Sequence, residues 1–172
     1  TNIETRSWDA TRVDSSMLHK ADRVLVDAPC SGLGVVRRKP EIKYKPMTEE
    51  MELLPKKQLA ILSASSSYVK PGGRLVYSTC TVNPNENERV TELFLKRNPS
   101  FSKIERTLLL PNINGTDGFF IFLCFPLCSS VSAPHFLCNP SDPEADSGKQ
   151  LFRKCSFVPK YKIHTHFSRT FL

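Results

Sequence analysis

Two stretches of this chain bring reactive side chains to the end of an apolar run. In VLVDAPCSG, residues 24–32, the β-formers Val24, Leu25 and Val26 lead directly into Asp27, Pro29, Cys30 and Gly32, and LVYSTCT, residues 75–81, leads in the same way into Cys80. A thiol reacts as its thiolate, so an ordinary cysteine pKa of about 8.5 has to fall before the sulfur is a good nucleophile near neutrality. Arg37, Arg38 and Lys39 follow Cys30 on the same loop and are candidates to lower it. Asp27 is a poor activator of a thiol by charge, yet a good hydrogen-bond partner for a heterocycle. Pro29 stiffens the turn, and Gly32 permits close backbone approach. The chemistry offered is nucleophilic and covalent.

Residues 23–26 form a short apolar run between charge and a Pro/Gly turn, which predicts a strand buried on both faces, as in a parallel sheet. The basic loop GLGVVRRKPEIKYKP follows, and helix is expected from Thr48 as N-cap, with Glu49 and Glu50 in the first turn and Pro55 as an interruption. KPGG, residues 70–73, is expected to stop that helix and turn the chain into the strand RLVYS. In NPNENERVTELF, Asn83 reads as a cap, Pro84 as the first helical residue and Glu86 as the third residue of a capping box. IERTLLLPN and DGFFIFLCF supply one or two further strands, read as the antiparallel edge of a mixed sheet. Strand, loop, helix, strand, helix implies an α/β domain with a mainly parallel sheet. Ligands of such sheets bind beyond the carboxyl ends of the strands, so parallel neighbours would set both thiols on one rim.

Lys and Arg number 24 against 17 Asp and Glu among 172 residues, a net charge of +7 that favours a polyanion such as nucleic acid and says nothing about fold. No apolar run reaches the length of about 18 residues that a membrane span needs, and GFFIFLCFPLC is short and broken by Pro126. The six cysteines are irregularly spaced and TNIETRSWDATRV has no apolar leader-like core, so we expect a soluble, reduced, intracellular protein; a nuclear, nucleolar or organellar site is left open. Cys124, Cys128, Cys138 and Cys155, with His135, His164 and His166, match no zinc spacing, and no metal is expected. Residues 126–172, rich first in Ser and Pro and then in basic and aromatic residues, are expected to form a divergent, poorly ordered tail behind a domain of residues 1–125.

DAPCSGLGVVRRKPEIKY, residues 27–44, followed by KPGGRLVYSTCTVNPNENE, residues 70–88, resembles the RNA (cytosine-5) methyltransferases of the Fmu/NSUN type. The resemblance runs from about Trp8 to Ile121 and implies a partial Rossmann-like, S-adenosylmethionine-dependent methyltransferase fold with helices on both faces of the sheet. It implies methyl transfer to carbon 5 of cytidine in rRNA or tRNA, with Cys80 as the nucleophile and Cys30 as the residue assisting product release. Asp27 takes a position used beside both cofactor and base, Pro29 lies next to it on the cofactor side, and WDAT, residues 8–11, gives Asp9 the place of an adenine-binding carboxylate. Arg37, Arg38, Lys39 and Lys43 match a basic motif that holds RNA phosphate or the active-site loop.

Two departures stand beside the resemblance. The family's glycine-rich cofactor loop and ribose-binding acid belong upstream of Asp9, and the chain as given starts at Thr1 with neither. After Ile121, FLCFPLCSSVS replaces a short basic strand. A partial catalytic domain is therefore expected, with a non-catalytic RNA-binding fragment as one alternative. A DNA cytosine methyltransferase, in which the Pro-Cys thiol, Cys30, would itself be the nucleophile, is the other.

Overall fold

The computed structural model describes residues 3–44 and 48–127 of the chain. They form four strands and two substantial helices: β1 (Ala21–Asp27), α1 (Glu49–Ser66), β2 (Val69–Thr79), α2 (Glu88–Arg97), β3 (Phe101–Leu109), the single turn α3 (Pro111–Asn114) and β4 (Phe119–Pro126). Sheet order is β1-β2-β4-β3. Strand β1 pairs parallel to β2, whereas β4 runs antiparallel to both β2 and β3. Three strands thus point the same way, as the α/β reading requires, but only one of the three ladders is parallel. The nine residues between β3 and β4 are too few for a crossover, which forces that pair into a hairpin. Its second strand, FFIFLCFP, lies inside the sheet and not at the expected edge.

Helices were expected on both faces; among the described residues α1 and α2 pack side by side, α1 against β1 and β2 and α2 against β3. Right-handed crossovers that advance in one direction along a sheet deliver their helices to one face. The core lies there: Val24, Val26, Leu75, Tyr77, Phe120, Phe122 and Cys124 from the strands meet Leu59, Leu62, Val90 and Phe94 from the helices. Phe94 packs edge-on against Phe101, ring centroids 5.5 Å apart. The alternate side chains Leu25, Val76, Ile121, Leu123 and Phe125 are half-buried, so β1 is not buried on both faces as its apolar run suggested.

Local signals fared unevenly. Thr48 is the residue before α1, without a side-chain cap bond, and the helix continues through Pro55, because the face carrying Gln58, Leu59, Ile61 and Leu62 is buried and holds the turn against the lost donor. Helix α1 ends at Ser66, ahead of KPGG, which instead lies inside β2 as an irregularity: pairing passes from Ala21↔Val69 to Arg23↔Arg74, and Gly72 takes φ +77°. Helix α2 begins at Glu88, later than the capping pattern implied. Asn83 does accept from Asn85 N at 3.1 Å, but in a turn that precedes the helix. No helix among the described residues is long and apolar enough to cross a membrane. The tail expected from residue 126 lies outside the described residues from 128 onward, while Pro126 still closes β4.

Candidate active site

The parallel register Asp27↔Ser78 brings the ends of β1 and β2 level, so the residues just beyond them, Cys30 and Cys80, meet above the carboxyl edge of the sheet. Their sulfurs are 3.3 Å apart, within S–H···S hydrogen-bond distance, and both residues are half-buried. Hydrogen bonding from the Cys30 thiol lowers the Cys80 pKa to about 7. Burial and the Asp27 carboxylate oppose that shift, and the Lys39 ammonium assists it. Cys30 moves the other way, raised by its bond to Cys80 and by burial. The pair therefore divides into one thiolate-prone sulfur and one proton-holding sulfur.

Backbone packing fixes the sulfurs from the other side. Gly34 N donates to Cys80 O (3.0 Å), and Gly118 N to Gly34 O (2.8 Å). A Cβ on Gly34 would lie 2.0 Å from Gly118 O and 2.8 Å from Cys80 O, so only glycine lets the loop after Cys30, the Cys80 carbonyl and the start of β4 come together. Across the same junction Arg38 Nε pairs with Asp117 at 2.8 Å.

Of the other residues expected at the site, Asp27 is exposed at the end of β1 and accepts from Ser78 Oγ at 3.1 Å. Pro29 is half-buried, its carbonyl accepting from Gln58 Nε2 at 2.8 Å. Arg37, Arg38, Lys39 and Lys43 are all exposed on the stretch after Cys30, and of these Lys39 acts on Cys80. Asp9 stands in a separate exposed turn, accepting from Thr11 N (3.0 Å) and Thr11 Oγ1 (2.7 Å) and facing Arg12 at 3.6 Å; those hydrogen bonds lower its pKa. None of these Asp9 contacts reaches the cysteine pair.

Cys124 is a core residue of β4, and burial pushes its thiol up to about 12. Among the described residues no three His, Cys, Asp or Glu side chains cluster to hold a metal, and Cys128, Cys138, Cys155, His135, His164 and His166 lie outside them.

Sequence reasoning passed over a set of buried polar residues beneath the thiols: Gln58, Thr81, Glu86 and Asn87, none more than 1 % exposed. Glu86 does not close a capping box. It accepts from Ser31 N (2.9 Å), Ser31 Oγ (2.6 Å), Gln58 Nε2 (3.0 Å) and Asn83 Nδ2 (2.9 Å). Asn87 accepts from Thr79 Oγ1 (2.6 Å) and donates to Thr81 O (2.9 Å), gripping the chain on both sides of Cys80. Tyr77 OH donates to Glu86 O at 2.7 Å. One signal was present: Gln58 repeats at helical spacing with the core residue Leu62, a polar side chain in an apolar phase.

The model of one protein family, described as 16S rRNA methyltransferase RsmB/F, matches residues 1–124. A Bacillus subtilis protein named "Probable ribosomal RNA small subunit methyltransferase B" is 40% identical over 139 residues, covering 70% of this chain and 31% of that protein. The ribosomal RNA small subunit methyltransferase B of Photorhabdus laumondii is 43% identical over 107 residues, 58% of this chain and 25% of its own length. The solved structure of NSun6 from Pyrococcus horikoshii with SFG superposes with a TM-score of 0.52 at 27% identity, over 60% of this chain and 29% of that one. The chain thus spans less than a third of the length of these relatives. With a family match that takes in β1 to β3, both cysteine loops and most of β4, the chain belongs to the 16S rRNA methyltransferase RsmB/F family.

Proposed function

We propose that this chain carries the covalent half of an S-adenosylmethionine-dependent RNA (cytosine-5) methyltransferase site, with Cys80 as nucleophile. The observation that supports this most directly is the 3.3 Å separation of Cys30 and Cys80, with the lower pKa on Cys80. Carbon 5 of cytosine is too weak a nucleophile to take a methyl group unaided. Addition of the Cys80 thiolate to carbon 6 forms a C–S bond and pushes the ring electrons toward carbon 5, which becomes enamine-like. Asp27, exposed beside the thiols, can hydrogen-bond the ring and favour that addition. Once carbon 5 bears the methyl group, a base takes its proton, that C–H electron pair closes the C5–C6 double bond, the C–S bond breaks, and its electron pair returns to Cys80 as thiolate. Cys30, touching Cys80, assists that release.

S-adenosylmethionine supplies the methyl group from a sulfonium cation. Asp27 and Pro29, at the end of β1 beside the thiols, would hold part of a cationic nucleoside of that kind, and Asp9, exposed in its own turn, is the carboxylate that the resemblance assigns to its adenine. Arg37, Arg38, Lys39 and Lys43, exposed on the stretch after Cys30, suit the phosphates of an RNA substrate, ribosomal in the family's description. With 5-fluorocytosine in the RNA and S-adenosylmethionine present, the proton at carbon 5 is replaced by fluorine and cannot leave, so the adduct persists. Gel electrophoresis should show a covalent complex that vanishes in Cys80→Ala; with unmodified RNA, Cys30→Ala should accumulate the adduct. A complex that survives Cys80→Ala and is lost in Cys30→Ala would instead favour the DNA-type assignment, with the nucleophile in the Pro-Cys loop.

A second reading, a non-catalytic RNA-binding fragment, draws on the four exposed basic residues Arg37, Arg38, Lys39 and Lys43, which suit phosphate without any chemistry at the thiols. Calorimetry separates the two: micromolar S-adenosylmethionine binding supports the enzyme, and silence at millimolar cofactor supports the fragment.

A further inference from the structure

Glu86 has no part in the chemistry above, yet its buried carboxylate joins the Cys30 loop, α1 and the turn after Cys80. Its four donors come from the Cys30 loop (Ser31 N and Oγ), from α1 (Gln58) and from the turn after Cys80 (Asn83). A buried carboxylate needs its lone pairs filled, and here four donors fill them. The hydroxyl protons run in one direction. Asn83 N donates to Thr81 Oγ1 (3.2 Å), Thr81 to Ser31 Oγ (2.8 Å), and Ser31 to Glu86 (2.6 Å). That order requires a group without a proton at its end. An amide in its place would set donor against donor.

We propose that Glu86 is the positioning residue of the cysteine pair: its carboxylate fastens the Cys30 loop to the Cys80 turn so that the two sulfurs meet. Asn87, next in sequence, braces Thr79 and Thr81 on either side of Cys80, so two adjacent residues hold both halves of the pair in one frame. Gln58 extends the frame to Pro29 O. The catalytic meaning of the proposal rests on the assignment of Cys80 and Cys30 above, but its physical content concerns only how one thiol sits against the other.

The test therefore uses thiol chemistry, with neither RNA nor cofactor. Iodoacetamide labelling of Cys80 in the full chain is followed by peptide mass spectrometry from neutral to alkaline pH. In Glu86→Gln the labelling rate at neutral pH should fall on the order of tenfold, because Cys80 loses its donor and its midpoint returns toward an ordinary thiol of about 8.5. At alkaline pH the rate should recover to that of the unaltered chain. In a Cys30→Ala background the same substitution should change nothing further, since Glu86 acts through Cys30. An unchanged pH profile in Glu86→Gln, whatever happens to its melting temperature, would reduce Glu86 to a fold-stabilising residue and overturn the proposal. So would a full effect persisting without Cys30. If Glu86→Gln fails to fold, Ser31→Ala decides: it removes one of the four bonds and should raise the midpoint in the same direction by less, and no rise at all overturns the proposal. Absence of a fluorocytosine adduct alongside a Glu86-dependent thiol profile would sink the methyltransferase reading alone.

Discussion

Cys80 and Cys30 are the same residue type on adjacent loops, and their difference in acidity is made by position. Cys80 receives the hydrogen bond and is favoured as thiolate by the Lys39 charge; Cys30 is the proton-bearing partner. Reactivity should follow. Alkylation of Cys80 should rise about tenfold per pH unit below about pH 7 and level off above it, because the thiolate is the reacting species and its pKa is lowered to about 7. Cys30→Ala removes the leading cause of that lowering, so the midpoint should climb and the neutral rate fall, with a backbone hydrogen bond and Lys39 left to oppose burial and Asp27. A midpoint unmoved by Cys30→Ala would show that the hydrogen bond between the two sulfurs does not set the acidity of Cys80. The basic residues after Cys30, which composition singled out as activators, contribute through Lys39 and come behind the neighbouring thiol.

The elements explain why these loops meet at all. Parallel pairing of β1 with β2 levels the two strand ends, and the hairpin β3–β4 presses its tip onto the loop after Cys30 through the Gly34–Gly118 contact. Gly34→Ala should destabilise the chain by about 1–3 kcal/mol or more in urea unfolding, since its Cβ meets backbone that no rotamer change can clear. A neutral result would mean that the loop has room to retreat. The strand ends, the α/β alternation and the convergence of both thiols were readable from apolar runs that stop at Asp27 and Thr79. The position of β4 was not, because FFIFLCFP carries no mark of which strands it will pair with. Nor was the role of Glu86 readable: three residues after Asn83, in front of an apolar run, it satisfies a local capping pattern, and only the arrival of Ser31 and Gln58 from distant sequence gives it other partners. KPGG misled for a similar reason, as a turn signature absorbed into a strand irregularity.

Taken as one body, the described residues stack both long helices on a single sheet face, and the aromatic side chains Tyr77, Phe94, Phe120 and Phe122 form the centre of that layer. Phe94 is fully buried on α2, the helix that follows directly on Glu86 and Asn87. Phe94→Ala should cost about 3–5 kcal/mol, a large share of the stability of an ordinary domain, read as a lower urea midpoint at constant slope. A loss below about 1 kcal/mol would place Phe94 outside the core. The Gly34–Gly118 seam has one further consequence. With no side chain between the two backbones, it works as a rigid latch and not as a cushion. Any event that lifts the β3–β4 tip breaks the Gly118–Gly34 bond and leaves the Cys80 carbonyl held by Gly34 alone, so the loop beside the nucleophile should loosen when that edge of the sheet opens, ahead of global unfolding.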